Sequence, residues 1–435
     1  MSADALREYL EHQTGRPDGP AAWSLFVSEA SGISLGIKDR EIGSVHSPIN
    51  LTRGGGARYL LVWNDGRVSR GHLERRQLES EPREVLQWAR ETAYDDPDAA
   101  HVSEPTPMPD VEIYDDAAAE VADGSVEPLA QQVQRMQAHV DREGYRTWSG
   151  SLSATRRSAR LTNSNGVDVR SRGTQCGWYV YVNGEVGDGH GSRRLESPER
   201  IDSRLQRIAV LAHALAGAEA TMSDGVQSVL LHPHVVQSYV LSTLLFNLRG
   251  SVVSHGEGQF ALDRFGAEDA VLRDDIHLRF DPLHPFRSGT YRFTAEGIAA
   301  ERCSFIDRGR LVQPILDLKF AHRLQMTPTP QITDSDSIEF GDGKPLDEEQ
   351  AGAETAGGPL VLSVLGVHTQ DSSSGDFSLS APHVLALGAD GYSGRGRGTL
   401  SGNLFDILRD PETRFVRFEG ESVPGMRVRC RFDPR

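Results

Sequence analysis

The feature that most constrains the fold is a repeated order of elements over the first half of the chain. In each copy a predicted helix precedes a run of alternating strands, and a second helix follows. The first copy runs from ALREYLEHQ to PREVLQWARETAY, and the second from LAQQVQRMQAHVDREG to RIDSRLQRIAVLAHALAGAEA. Hairpin turns are indicated at Asn64-Asp65-Gly66, Asn163–Gly166 and Asn183-Gly184. The similarity lies in the pattern rather than in the residues, and it predicts two helix–meander–helix units.

Two changes of composition predict how the chain is divided. Residues 95–128 are acidic and rich in proline, which predicts an extended surface connection. From about residue 226, strands rich in Val, Leu and Gly dominate, with one helix, VVQSYVLSTLLFNLR, near their start. These patterns predict an α+β fold with two domains. The N-terminal domain, residues 1–222, would hold antiparallel sheets, helices and the acidic linker 95–128. The C-terminal domain, residues 223–435, would be β-rich with few helices.

Charge and cysteine content argue against several classes of function. The net charge of −16 argues against direct binding of nucleic acid, which needs clustered Lys and Arg. No apolar run is long enough to cross a membrane, and MSADALREYLEHQTG does not resemble a signal peptide. We therefore expect a cytoplasmic protein with no membrane partner. The widely separated Cys176, Cys303 and Cys430 do not predict a disulfide framework or a zinc–cysteine cluster.

Two histidines flank a proline in VLLHPHVVQSYVL, where a strand is predicted to end and a helix to begin. Pro233 suits the first turn of a helix. A metallohydrolase helix would need two histidines about one turn apart and a glutamate beside the first. Pro233 stands where that glutamate would be, and neither Val236 nor Gln237 is a histidine. The spacing favours cap or packing roles over a metal site, and His232 and His234 stay candidates for a catalytic role.

A third candidate, His255, stands near Glu257 in the glycine-rich stretch SHGEGQF. A histidine with a glutamate can perform acid–base chemistry or bind a metal. The same composition equally fits a flexible loop that carries a solvated pair.

The C-terminal segments carry a set of motifs in a fixed order. A polar loop leads into Gly375-Asp376-Phe377-Ser378, and the apolar run HVLALG, the turn GTLSGN and the predicted helix LFDIL follow. Upstream stand FALDRFGAED, HLRFDP and EGIAAERCSFIDRGRLV. This ordered set resembles the TldD/PmbA family, described as modulators of DNA gyrase and regarded as peptidases. The hairpin at Asp65-Gly66-Arg67 and the helices around it also fit, so the resemblance spans nearly the whole chain.

The resemblance implies a role for VLLHPHVVQ. TldD-type members carry HExxxH at this position, with a later cysteine ligand, and bind zinc. PmbA-type (TldE) members lack the motif and pair with a TldD-type chain. Here His232 matches the first histidine, Pro233 replaces the glutamate and Gln237 replaces the second histidine, while RDPETRFVRFEGESVPG contains no cysteine. The chain thus resembles the PmbA kind, for which we expect no metal or other cofactor in this chain and zinc in a partner chain.

The function implied by the resemblance is that of the non-zinc subunit of a heterodimeric metallopeptidase. Such an enzyme would hydrolyse peptide or amide bonds in small peptides or natural-product precursors. The expected partners are an HExxxH-bearing TldD-type homologue, or a second copy in a homodimer, and a peptide substrate. The strand residues Asp376, Phe377 and Ser378 are candidates for binding that substrate through main-chain hydrogen bonds, and a plain packed strand is the alternative.

Two other functions stay open on the sequence. One is a stand-alone amidase or peptidase of a biosynthetic pathway, in which His232, His234 or His255 takes a new role. The other is a non-catalytic binding or regulatory protein of the gyrase-modulator kind.

Overall fold

The N-terminal half folds around one six-stranded antiparallel sheet. The computed structural model describes residues 3–41, 49–341, 345–355, 357–388 and 391–435. The strand order in this sheet is β3-β2-β1-β4-β5-β6. The strands are β1 (Pro20–Glu41), β2 (Ile49–Trp63), β3 (Val68–Glu74), β4 (Thr147–Asn163), β5 (Asp168–Val182) and β6 (Val186–Ser192).

Two three-stranded meanders meet edge to edge in this sheet. β1 pairs with β4 in antiparallel register, with Ser24 opposite Asn163 and Ile37 opposite Gly150. The repeated order of elements seen in the sequence is present, but the two units share one sheet. Helices flank each meander: α1 (Ala3–Gln13), α2 (Pro82–Glu91), α3 (Asp116–Ala122), α4 (Glu127–Glu143) and α5 (Pro198–Leu215).

The acidic segment 95–128 is more ordered than the predicted surface connection. It contains α3, whose N-cap Asp115 accepts a hydrogen bond from Ala118 N–H at 2.7 Å. Ala118 and Val121 are buried in the core beneath the sheet. The segment departs from the predicted extended connection at α3, because the small side chains of DAAAEVA form a narrow apolar face that packs closely.

The C-terminal half contains a seven-stranded sheet that closes on itself. Its order is β12-β16-β17-β15-β14-β13-β7, and β7 pairs with β17 as well, so that five strands form a small barrel. A four-stranded sheet, β10-β9-β8-β11, lies apart from it. The strands are β7 (Gly225–Leu231), β8 (Leu278–Phe280), β9 (Cys303–Asp307), β10 (Arg310–Leu311), β11 (Ile338–Phe340), β12 (Leu346–Asp347), β13 (Pro359–Leu365), β14 (Asp376–Gly388), β15 (Gly391–Asn403), β16 (Arg414–Arg417) and β17 (Gly425–Pro434).

Short helices connect these strands. α6 (Pro233–Val235), a π-helical turn (Val236–Leu241) and α7 (Ser242–Leu248) follow one another without a break, as the apolar stripe of VVQSYVLSTLLFNLR predicts. The others are α8 (Gly250–His255), α9 (Leu318–Leu324), α10 (Glu348–Glu354) and α11 (Leu404–Arg409), with single 3₁₀ turns at Gln77–Glu79, Pro97–Ala99, Leu262–Arg264, Ser335–Ser337 and Val367–Thr369. The α+β class, sheet-rich in both halves, is confirmed.

One apolar core joins the two halves. Ile201 and Leu205 of α5 belong to the same buried cluster as Trp178 of β5, Leu385 of β14 and Val416 of β16. α5 therefore lies between the six-stranded sheet and the barrel, and it carries side chains to the junction where β7 ends. Among the described residues, no helix is long and apolar enough to cross a lipid bilayer.

Candidate functional site at the start of the barrel helix

His232 lies at the junction between β7 and the helix that follows it. Its backbone N–H donates to Val361 O at 3.0 Å, and its Nδ1 accepts from the His234 N–H at 3.3 Å, which caps the helix. The ring is buried and contacts Phe418 edge-on, with 5.1 Å between ring centres. Burial, reinforced by electrostatic interaction with the nearby His234 and Arg207, lowers the pKa of His232 well below its ordinary value. His232 is therefore a neutral cap.

The helix that begins here contains a π turn, which the sequence analysis did not foresee. A π turn is wider than an α turn, because its hydrogen bonds span five residues instead of four. Two residues that are five positions apart therefore lie on nearly the same side of a π turn. The histidines of HExxxH are five residues apart, so this helix has a shape that suits the motif. At the 3.6 residues per turn of a regular α-helix, His232 and Gln237 would lie on different sides, so the usual helical spacing does not predict this shape.

The positions that correspond to HExxxH do not fit a zinc ion. Pro233 has no donor atom, and the Gln237 amide donates to the Ser335 hydroxyl. His232 Nδ1 is used in the helix cap. Cys430 is buried in β17, and burial raises the pKa of its thiol to about 12, which disfavours the thiolate that zinc requires.

His234 faces a cluster of acidic side chains from other parts of the chain. One ligand-type atom each from Asp188 on β6, His234 and Glu421 lies within 4.8 Å of the other two. The cluster combines the N-terminal sheet, the barrel helix and the segment between β16 and β17. Two carboxylates and an imidazole at such distances could hold a divalent cation on geometry alone.

Two arginines of α5 pair with the carboxylates of this cluster. Arg204 Nη1 donates to Asp188 Oδ1 at 2.6 Å, and Arg207 Nη2 donates to Glu421 Oε1 at 2.7 Å. Arg204 also donates to Gly420 O at 2.8 Å. The two guanidinium groups neutralise both carboxylates, so this donor set is a buried ion-pair network and does not favour a metal ion.

The electrostatics of the network depend on its burial. The side chains of Asp188 and Arg204 are 9% and 7% exposed. Burial raises the pKa of Asp188, Glu421 adds to that effect, and Arg204 opposes it. Loss of Arg204 would leave a buried carboxylate without its nearest cation.

The candidate strand Asp376–Ser378 lies at the start of β14, and its side chains alternate between two environments. The Phe377 side chain is buried against the Tyr239 ring, with 5.1 Å between ring centres, as strand alternation requires. Asp376 and Ser378 face the opposite way and are exposed, with Asp376 accepting from Asn403 Nδ2 at 2.8 Å. Binding of a substrate by the main chain of Asp376, Phe377 and Ser378 stays a prediction.

His255 lies at the end of α8 and not in a flexible loop. Gly256 ends the helix with a φ of 65°, in the left-handed region that favours glycine. The exposed His255 ring is hydrogen-bonded through Nδ1 to Ser251 O at 2.7 Å. The structure does not bring His255 into the cluster of Asp188, His234 and Glu421.

The residues around His234 that the sequence did not indicate are Asp188, Arg204, Arg207 and Glu421. Each lies in a different predicted element from the histidines, and no local spacing relates them to VLLHPHVVQ. A weak signal was present in α5, because Arg204 falls between Ile201, Leu205 and Ile208 on the apolar side of that helix. A charged side chain on such a face requires a buried partner.

Comparisons with known proteins agree with this architecture. The sequence profile of the PmbA/TldA metallopeptidase C-terminal domain matches residues 224–429, and that of the central domain matches residues 101–215. A search of curated protein sequences finds no match.

Solved structures are similar over the whole chain. TldE from Thermococcus kodakarensis is similar with a TM-score of 0.77 and 16% identity, over 99% of both chains. A protein of Bacteroides thetaiotaomicron described as a candidate modulator of DNA gyrase gives a TM-score of 0.76 and 19% identity over 99% of both chains. A protein of Thermotoga maritima with the same description gives 0.71 and 16% over 99% of this chain and 100% of the other. At these identities the likeness shows a shared fold.

Proposed function

Because the chain belongs to the PmbA/TldD metallopeptidase family, we propose that it is the metal-free subunit of a two-chain peptidase. Its partner would be a homologue that carries HExxxH and holds zinc. The pair would hydrolyse peptide or amide bonds in small peptides or peptide-like precursors of natural products.

This proposal rests on which residues stand at the HExxxH positions. The strand, the cap and the helix are all present around His232, yet Pro233 and Gln237 stand where a glutamate and a histidine would be needed. A metallopeptidase needs a base beside the metal and at least three protein ligands. The helix start keeps its architecture without these groups, which fits a chain that supports an active site in another subunit.

The ion-pair network stabilises the structure around His234, beside the HExxxH positions. Arg204 and Arg207 tie α5 to Asp188 and Glu421, which lie around His234. In a subunit without a metal ion, the two guanidinium groups can supply the positive charge that balances the carboxylates. In the complex, the zinc-bearing chain would supply the metal and the base, and this chain would complete the substrate channel.

Co-expression with an HExxxH-bearing homologue tests the proposal. Only the homologue carries an affinity tag. We expect both chains to be recovered together, with peptidase activity in the complex and zinc bound to the tagged chain. As a control, replacing the glutamate of the partner's HExxxH by glutamine should abolish hydrolysis and leave the complex intact.

Two outcomes would overturn the proposal. If the isolated chain held stoichiometric zinc that His232→Ala removed, and hydrolysed peptides alone, it would be a stand-alone enzyme. If no complex formed with the homologue, and activity of the homologue did not depend on this chain, a subunit role would be excluded.

A further inference from the structure

A wide groove crosses the helix-covered face of the N-terminal sheet. It has a volume of about 1820 Å³ and lies between α1 and the end of α3, over the middle of β1, the first half of β2, the second half of β4 and the start of β5. Sites for small ligands measure roughly 300–1000 Å³. This groove is larger than a small molecule needs, and its length along the strands suits a segment of a polymer.

The lining of the groove is strongly basic, although the chain is acidic. Eight arginines and three acidic residues line it, in a protein whose net charge is −16. A cleft lined by one sign of charge concentrates ligands of the opposite sign. The arginines are Arg7, Arg53, Arg75, Arg156, Arg157, Arg160, Arg170 and Arg172, and the acids are Asp4, Glu29 and Asp123.

Strand register places several of these arginines on one face of the sheet. Arg53 lies opposite Ser31, which in turn lies opposite Arg156, and Arg160 lies opposite Arg170. Like charges directly opposite each other destabilise a sheet unless another charge compensates them. Arg160 is compensated by Asp4 at 2.8 Å and Asp168 at 2.7 Å.

Other arginines of the groove are left without compensation. Arg170 acts electrostatically on the nearby carboxylate of Asp168, whereas Arg53 and Arg75 are exposed and make no ion pair with any residue in the described part of the chain. These guanidinium groups are free to bind carboxylates of another molecule.

The edge of β2 beside these arginines is open. β3 pairs only with the later part of β2, from Gly56 opposite Glu74 to Val62 opposite Val68. On that side, residues 49–55 face no strand among those that the structure describes, and they line the groove. An unpaired edge presents backbone N–H and C=O groups to an incoming strand.

The internal repeat shows how such an edge is used in the same molecule. In β5 the corresponding stretch, residues 169–175, is also unpaired by β6, whose last residue, Ser192, lies opposite Cys176. There the acidic segment 109–116 lies beside the strand. Thr174 N–H donates to Ile113 O at 2.8 Å, and Arg172 donates to Tyr114 Oη at 2.9 Å. The edge in the second unit is thus covered by an acidic, extended segment of the chain itself.

We propose that the open edge of β2, residues 49–55, together with the arginine-lined groove beside it, binds an extended acidic segment of another polypeptide. Backbone hydrogen bonds to the edge would hold the segment as an added strand. Its carboxylates, on alternate residues, would face Arg53 and its neighbours. The pairing with a strand edge favours a peptide over a nucleic acid. The inference does not depend on the proposed peptidase function, because it concerns binding by the isolated chain.

Binding of designed peptides to the full-length chain tests the proposal. The probe is a fluorescein-labelled octapeptide of alternating valine and glutamate, which presents all its carboxylates on one side of a strand. Fluorescence anisotropy at low ionic strength should show binding at least about tenfold tighter than that of the matching valine–glutamine peptide, with the difference shrinking as salt is added.

Matched variants locate the site on the protein. Arg53→Glu with Arg75→Glu should weaken binding of the acidic peptide at least about tenfold. The control, Arg146→Glu with Arg323→Glu, makes the same change of net charge at exposed arginines outside the groove and should leave affinity within about twofold. Circular dichroism confirms that each variant is folded.

N-methylation of the peptide tests the strand pairing. In an extended peptide alternate N–H groups point to the same side, so methylating either the valine or the glutamate nitrogens blocks one side only. One of the two methylated peptides should lose binding and the other should retain it.

The proposal is overturned if both methylated peptides bind like the parent, if the neutral peptide binds equally well, or if the control variant loses as much affinity as the groove variant. Equal affinity for single-stranded DNA would show a general polyanion surface instead. A dimer of the free chain that Arg53→Glu with Arg75→Glu dissociates would identify a second copy as the occupant.

Discussion

At the scale of single residues, Arg204 decides the chemistry of the site. Its guanidinium contacts Asp188, the backbone of Gly420 and, at 3.6 Å, Glu421. These groups come from two separate parts of the chain, and Asp188 and Glu421 lie close to His234. A metal ion could balance the charge of the same carboxylates, but Arg204 already supplies a positive charge there.

Arg204→Met should destabilise the protein by about 3 kcal/mol near neutral pH, since removing one partner of a buried ion pair leaves an uncompensated charge. Burial already raises the pKa of Asp188, and losing Arg204 raises it further. A carboxyl group with a raised folded-state pKa costs stability as the pH rises through that pKa. The deficit of the variant should therefore be largest at pH 8 and smaller at pH 5.

Urea unfolding at the two pH values measures this deficit. The control is Arg135→Met, which breaks an ion pair with Asp202 whose two side chains are both 50% exposed. That change should cost less than about 1 kcal/mol. A deficit for Arg204→Met that is equal to the control, or independent of pH, would contradict the role assigned to Arg204.

At the scale of elements, the π turn links the site helix to the barrel. It places Tyr239, Val240 and Leu241 in the core as three consecutive buried residues, which a regular α-helix on a sheet rarely does. Tyr239 Oη donates to Gly375 O at 3.2 Å, and the Tyr239 ring packs on Phe377. The glycine loop before Asp376 is therefore positioned by the helix that begins at Pro233.

Tyr239→Phe should lower the free energy of unfolding by about 1 kcal/mol, because a buried hydrogen bond is lost while the ring remains. Tyr239→Ala should cost about 3–5 kcal/mol, because it also leaves a cavity. Tyr179→Phe serves as the control, since Tyr179 is 50% exposed. Urea midpoints measure the three changes, and a Tyr239→Phe variant as stable as the control would contradict the hydrogen bond.

At the scale of the whole molecule, the two halves share one core. The cluster around α5 includes Leu230, Leu360, Leu385 and Val416 from the barrel side and Trp178 from the N-terminal sheet. Burying apolar surface contributes about 25 cal/mol per Å², so separating the halves would expose a large apolar face. The shared core predicts that the chain unfolds as one unit.

A fragment of residues 223–435 should therefore bind a hydrophobic dye and associate, while the full chain should unfold in a single transition. Tryptophan fluorescence and far-UV circular dichroism, followed in urea on the full chain, should give coincident curves. Two separated transitions, or a monomeric fragment that binds no dye, would show that the halves are independent.

The sequence by itself determined what depends on neighbouring residues. Asn and Gly at the turns predicted the hairpins, the apolar stripe predicted the helix after Pro233, and ordered motifs indicated the family. These features are local, so spacing along the chain carries them. The same reasoning did not indicate helix α3 within segment 95–128 or the π turn, because packing against distant elements decided both.

Only the tertiary structure decided which side chains meet. Arg204 and Asp188 are 16 residues apart and Arg207 and Glu421 are 214 residues apart, yet each pair is in direct contact. The groove collects Arg53 and Arg75 from the first unit with Arg156 and Arg170 from the second, because two meanders join through β1 and β4. Charges are concentrated in these places by strand register and helix packing, and no pattern within one segment contains that information.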